Sequence, residues 1–159
     1  MKYKTQEPEK SGMNKELYNL IADLIQMNLD FITLCNAAQN YFQLNGFYSG
    51  RQFFQTINGR MKSKMDDLTD FLRSELEKVP ELTIMEEDTD FKDKMEPFDI
   101  AKQLELAYYA KLKAIAEKAI EVKDMSALAN SLSWIQNYQH ACCMALEAVR
   151  NGQNPTGVL

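Results

Sequence analysis

Residues 80–97, PELTIMEEDTDFKDKMEP, are the stretch on which the architecture turns. Between the two prolines the apolar residues keep no helical period, and Glu81, Glu86, Glu87, Asp88, Asp90, Asp93 and Glu96 crowd together, which reads as a long connection. The period is strong on both sides of it. Downstream, Pro97 suits a first helical turn, and Ala101, Glu105, Tyr108, Leu112, Ile115, Ala119 and Val122 form one stripe of a helix, C. Upstream, Gly50, Phe54, Ile57, Met61, Lys64, Leu68, Phe71 or Leu72, and Leu76 form another, B, which should end near Lys78 before Val79 and Pro80.

Two more helices flank these. Helix A carries Leu17, Ile21, Leu24, Asn28, Phe31, Cys35, Ala38 and Phe42, with Asn14 as its cap and Asn45 and Gly46 as its stop. Helix D follows Asp124 with Leu128, Leu132, Ile135, Gln139, Cys142, Leu146 and Val149, closed by Asn151 and Gly152. The A-to-B and C-to-D joins are too short for anything but antiparallel hairpins. The middle link of about 17 residues reaches roughly 56 Å extended, against roughly 40 Å for helix C, so it can return along the bundle and set B parallel to C. The expectation is an all-α, antiparallel four-helix bundle over residues 13–152 with one long B-to-C crossover. Residues 1–12 are read as a flexible N-terminal tail and 153–159 as a short C-terminal one.

Composition narrows the function. Eighteen basic against 23 acidic side chains leave a net charge of -5, which disfavours nucleic acid as a partner because phosphate binding needs a basic surface. No secretory leader or membrane span is visible. Cys35, Cys142 and Cys143 are odd in number, lie inside helical patterns and lack metal-type spacing, so a cytoplasmic setting without disulfides fits best.

Specific residues, FYSGRQFF at 47–54, LTDFL at 68–72 and NSLSWIQNYQH at 130–140, resemble bacterial non-haem ferritin over about residues 14 to 150. The resemblance implies a ferritin-like bundle, a ferroxidase activity and iron as the metal handled. It also implies a di-iron centre, which needs several carboxylates and usually imidazole from inward positions, commonly as Glu-x-x-His. No such motif occurs here: His140 is the only histidine, and Gln136 lies four residues before it.

Carried over position by position, the family's helix A glutamate falls on Asn28, the helix B glutamate on Met61 and the helix B histidine on Lys64. The helix C glutamate falls on Glu105, or on Leu106 if no residue is added at the C-to-D turn. The helix D glutamine is kept as Gln139, and the glutamates after the histidine fall on Ala141 and Cys142. The expected function is therefore an iron-storage or iron-binding shell subunit with a weakened or absent ferroxidase centre, and enzymatic activity in the family's sense is left open. No tightly bound cofactor is expected, although iron is possible. Two other functions stay open: a helical interaction or scaffold protein that has lost iron chemistry, and a ferroxidase with a non-standard site of Glu105, Gln139 and His140. Asn28, Gln139 and Cys142 also read as a hydrogen-bonded polar patch, and His140 as a structural histidine.

Lys64 and Glu105, charged on core-facing stripes, are expected to form an ion pair in place of a metal. A homo-oligomer, at least a dimer, is expected, with co-assembly beside an active ferritin subunit as a further option. Tyr48, Phe53 and Tyr109 are the residues expected to face a neighbour. The family's short fifth helix is not expected, because Pro155 and Gly157 break the remaining residues.

Overall fold

Asn14 starts the first helix as the sequence predicts: its side chain accepts the N–H of Leu17, satisfying one orphan donor of the first turn. The computed structural model describes residues 12–84, 86 and 90–159. In it α1 spans Lys15–Leu44, and all of its stripe from Leu17 to Phe42 is buried. Helix α2 spans Tyr48–Ser74, and α3 spans Glu96–Glu121 with Pro97 in its first turn. Asp124 accepts the N–H of Ala127 to open α4, Met125–Gln136, and α5 covers Ala141–Arg150. A single 3₁₀ turn, Pro155–Val158, follows. Among the described residues there is no strand, and no helix is long and apolar enough to cross a membrane.

Side-chain contacts set the helix directions. Asn58 of α2 donates to Asn36 of α1 at 2.8 Å, and Met13, at the foot of α1, donates its N–H to Glu77 beyond the end of α2, so the two run antiparallel. Lys118 pairs with Glu16 and Lys111 with Asp23, so α3 is also antiparallel to α1. Helices α2 and α3 are therefore parallel, and both start in one aromatic cluster where Phe98 meets Phe42, Phe53 and Phe54 at centroid distances of 5.1 to 5.6 Å. Gly50 makes that cluster possible: a Cβ there would lie 2.8 Å from the Phe47 ring and 2.9 Å from that of Phe42.

The crossover can be followed along α1. Tyr18 donates to the Lys78 carbonyl, Gln26 and Thr83 exchange two hydrogen bonds of 2.9 Å, and Phe91 stands edge-on to Tyr41 at 5.2 Å. From Tyr18 to Tyr41 is roughly 35 Å of helix at 1.5 Å per residue, the lengthwise return that the connection length allowed. Part of the acidic run, including Glu87 and Asp88, lies outside the described residues, as does nearly all of the expected N-terminal tail, residues 1–11.

In the fold, three features differ from the sequence reading. Helix α2 stops at Ser74 instead of near Lys78: Leu76 takes the left-handed conformation at φ 60°, its N–H and that of Glu77 close back on Arg73 and Leu72, and its side chain is 82% exposed instead of joining the stripe. The fourth rod comes in two pieces, α4 and α5, because residues 137–140 leave the helix; Gln139, in the break, is exposed, and so is Leu132 on α4. Phe53 is fully buried in the aromatic cluster, where it cannot meet a neighbour. Beyond α5 the C-terminal residues keep to the one 3₁₀ turn, with Pro155 buried and Arg60 donating to the Leu159 carbonyl at 3.4 Å.

Candidate functional site

The interruption of the fourth rod builds the site. The segment NSLSWIQNYQH is rich in Asn and Ser, which compete with helical hydrogen bonds, and α4 ends with Asn137 as its C-cap. Tyr138 then turns into the bundle and donates its hydroxyl to the main-chain carbonyl of Glu105 on α3. Helix α5 begins at Ala141 without a side-chain cap of its own. Glu105, only 4% exposed, supplies one from across the bundle: its carboxylate accepts the N–H of Cys142 at 2.9 Å and of Cys143 at 3.1 Å. A buried carboxylate thus sits against the positive end of a helix, where charge-assisted hydrogen bonds are strong.

Aromatic rings fill the space beside it. Tyr138 stacks on Tyr108 at 6.0 Å with 16° between planes and lies 4.9 Å from Tyr109. The Tyr108 hydroxyl accepts from Nδ2 of Asn28 at 3.1 Å, while Oδ1 of the same fully buried amide has no partner. Lys64 holds its ammonium 5.9 Å from the Tyr138 ring centroid. What remains open is a cavity of about 40 Å³ lined by Met61, Lys64, Glu105, Tyr108, Tyr138 and Gln139 among others, enough for little more than a water molecule.

The positions matched to a di-iron centre therefore do converge. Met61, Lys64, Glu105 and Gln139 share the cavity, Asn28 stands behind it through Tyr108, and Cys142 gives its N–H to Glu105. Gln139 reaches it from an exposed position, and His140 is exposed as well.

The expected Lys64–Glu105 ion pair does not form among the described residues. Helix α1 packs on both α2 and α3, which puts those two across the diagonal of the bundle, and Tyr138 occupies the space between them. Glu105 finds its partners on α5 instead. Burial holds the Lys64 ammonium below its usual pKa, with nearby Asp67 opposing that shift and Arg60 adding to it.

Protons are held tightly elsewhere in the site. Burial pushes the Tyr108 and Tyr138 hydroxyls up, and for Tyr138 the Glu105 charge adds to it. The Cys142 thiol is raised by burial and then by Glu105, and that of Cys143 is pushed up to about 11 by burial and its hydrogen bond to Glu105. Glu105, His140 and Cys143 each offer a ligand atom, and the three atoms lie within 4.8 Å of one another. Tyr109 and Tyr138 hold the imidazole between them, edge-on at 5.0 and 4.9 Å.

Tyr108, Tyr138 and Cys143 were not among the site residues expected from the sequence. An unbroken helix D would place Cys143 one step off the inward stripe. The low helix propensity of residues 130–140 is the one signal that hinted at the break.

No protein-family model and no curated protein matches this sequence. Solved structures do. The chain is similar to a ferritin of Chlorobium tepidum at 15% identity and a TM-score of 0.79, covering 87% of each chain. An open-pore ferritin from the hyperthermophilic archaeon Archaeoglobus fulgidus aligns at 11% identity and a TM-score of 0.81, over 92% of this chain and 93% of that one. A humanized archaeal ferritin aligns at 11% and 0.81, over 92% and 91%. The chain has the ferritin-like four-helix fold.

Proposed function

We propose that this chain is a ferritin-like shell subunit that handles iron as cargo and has no working di-iron ferroxidase centre inside its bundle. The observation carrying this reading is the content of the mid-bundle site. A pair of irons calls for several carboxylates, whereas these positions hold two amides, a thioether, an ammonium and a thiol beside the single carboxylate of Glu105. The donors present do not fit two metal ions, and the Tyr138 ring stands among them.

Iron would then be attracted by surface carboxylates, which concentrate cations without a defined pair of sites. Asp30, Glu86, Asp90 and Glu96 line an open groove of about 240 Å³ between α1, α3 and the crossover. Self-assembly, or assembly beside an active subunit, would supply the enclosure that a lone bundle lacks.

The test is light scattering on the chromatographic peak, iron analysis of that peak, and ferrous oxidation followed in air. The expected result is an oligomer that retains iron and oxidises ferrous iron little faster than buffer. A monomer would overturn the shell reading. A fast, saturable oxidation lost in Glu105→Ala would make the chain a ferroxidase of unusual type. An oligomer that retains no iron would favour a helical scaffold, the reading that the filled site also supports.

A further inference from the structure

We infer that Glu105, His140 and Cys143 form a binding site for one borderline divalent transition-metal cation of the iron-to-zinc series. The site goes beyond the proposed function: it lies at the break in the fourth rod, takes one ion instead of two, and draws two of its three ligands from residues that do not match the family's metal positions.

The donor set selects the ion. A carboxylate oxygen, an imidazole nitrogen and a thiolate sulfur together suit zinc, cobalt and ferrous iron, and disfavour magnesium and calcium, which take oxygen donors. Charge balances, since carboxylate and thiolate together neutralise a divalent cation and a neutral imidazole adds none. On binding, the Cys143 S–H bond breaks, its proton passes to solvent, and sulfur takes the metal in its place.

Geometry is close to what is needed. A tetrahedral ion with bonds of about 2.0 Å to nitrogen and oxygen and about 2.3 Å to sulfur holds its donors roughly 3.3 to 3.6 Å apart. The three atoms here already lie within 4.8 Å of one another, so side-chain shifts of about 1 Å close the set.

Surrounding groups steady each ligand. The N–H groups of Cys142 and Cys143 orient the carboxylate and leave lone pairs on both oxygens, as outer-shell hydrogen bonds do for a ligating carboxylate. Tyr109 and Tyr138 fix the plane of the imidazole. Three protein ligands, one of them exposed, leave a fourth tetrahedral position for water or a small molecule.

The test is titration of the chelator-treated full-length protein with cobalt(II), read by absorbance. One equivalent per chain is expected, with a thiolate-to-cobalt charge-transfer band in the near ultraviolet, displaced by zinc and unaffected by excess magnesium. Cys143→Ser should abolish the band, and His140→Ala, with an unchanged circular dichroism spectrum as the check on its fold, should weaken binding by roughly 100-fold or more. Cys142→Ser should keep the band. Binding without a charge-transfer band, a band lost in Cys142→Ser but kept in Cys143→Ser, unchanged affinity in His140→Ala, or no binding at all would overturn the site. None of these outcomes bears on the oligomer or on bulk iron retention, so the shell reading stands or falls separately.

Discussion

Tyr138 donates its hydroxyl proton to the backbone carbonyl of Glu105, and the carboxylate of the same Glu105 accepts the N–H groups that open α5. One residue of α3 thus anchors both sides of the gap in the fourth rod. Tyr138→Phe removes the first link and leaves the ring stacking in place. It should destabilise the fold by about 1 kcal/mol in urea denaturation, the usual net value of one hydrogen bond. A loss of more than about 3 kcal/mol would mean that the hydroxyl organises more than this one bond.

Lys64→Met should be neutral or mildly stabilising. The ammonium is half-buried without an ion-pair partner among the described residues, and methionine fills the same space beside Met61. Its pH signature follows from a pKa lowered by folding: the unfolded chain holds the proton more tightly, so stability rises with pH through the lowered pKa and levels off near the usual 10.5. The difference between wild type and variant should therefore shrink as pH rises through that window. A loss of roughly 3 kcal/mol at neutral pH would restore the ion pair that the structure lacks.

Leu76→Gly should stabilise the protein by up to about 1 kcal/mol, because a leucine in the left-handed conformation is strained where glycine is not. Its side chain, 82% exposed, gives up little packing in the exchange. Urea midpoints at equal m-value would measure the gain, and a destabilised variant would show that the exposed side chain is held by another surface.

Alkaline solution should weaken the fold. The thiols of Cys35 and Cys142 are raised by burial and that of Cys143 to about 11, from an ordinary value of 9.0, so the folded chain keeps protons that the unfolded chain releases. Their contribution is complete below pH 9 and declines as pH rises through the folded values. Cys142→Ala should flatten the decline seen in urea midpoints from pH 8.5 upward, and an unchanged slope would assign it to Cys35, Cys143 and the tyrosines.

Four rods and one crossover were legible in the sequence because each rests on a repeated signal: stripes of seven or eight positions, caps at Asn14 and Asp124, and a proline-bounded acidic link. Misplaced features each hang on a single local choice. Periodicity carried helix D straight through residues 137–140 because Ile135, Gln139 and Cys142 keep the spacing, whereas the break is stabilised by Glu105, far away in sequence, whose two bonds to α5 no local pattern reveals. The same long-range contact explains why Lys64 and Glu105, paired by polarity on two stripes, do not pair in space. Helix α2 ended early because Leu76 adopts a turn that favours glycine, a choice composition does not announce.

A rod cut in two also breathes in two parts. Helix α4 has 12 residues and buries only Ala127 and Ser131, while α5 has 10 and buries six. Neither is long enough to hold its shape alone in water, so each is as durable as its grip on α3. The amide hydrogens of α4 should exchange with deuterium well before those of α1, by local opening that leaves the other rods closed. With α4 burying only two residues and α5 pinned by Glu105, the fourth rod should be the place where this bundle first lets water in.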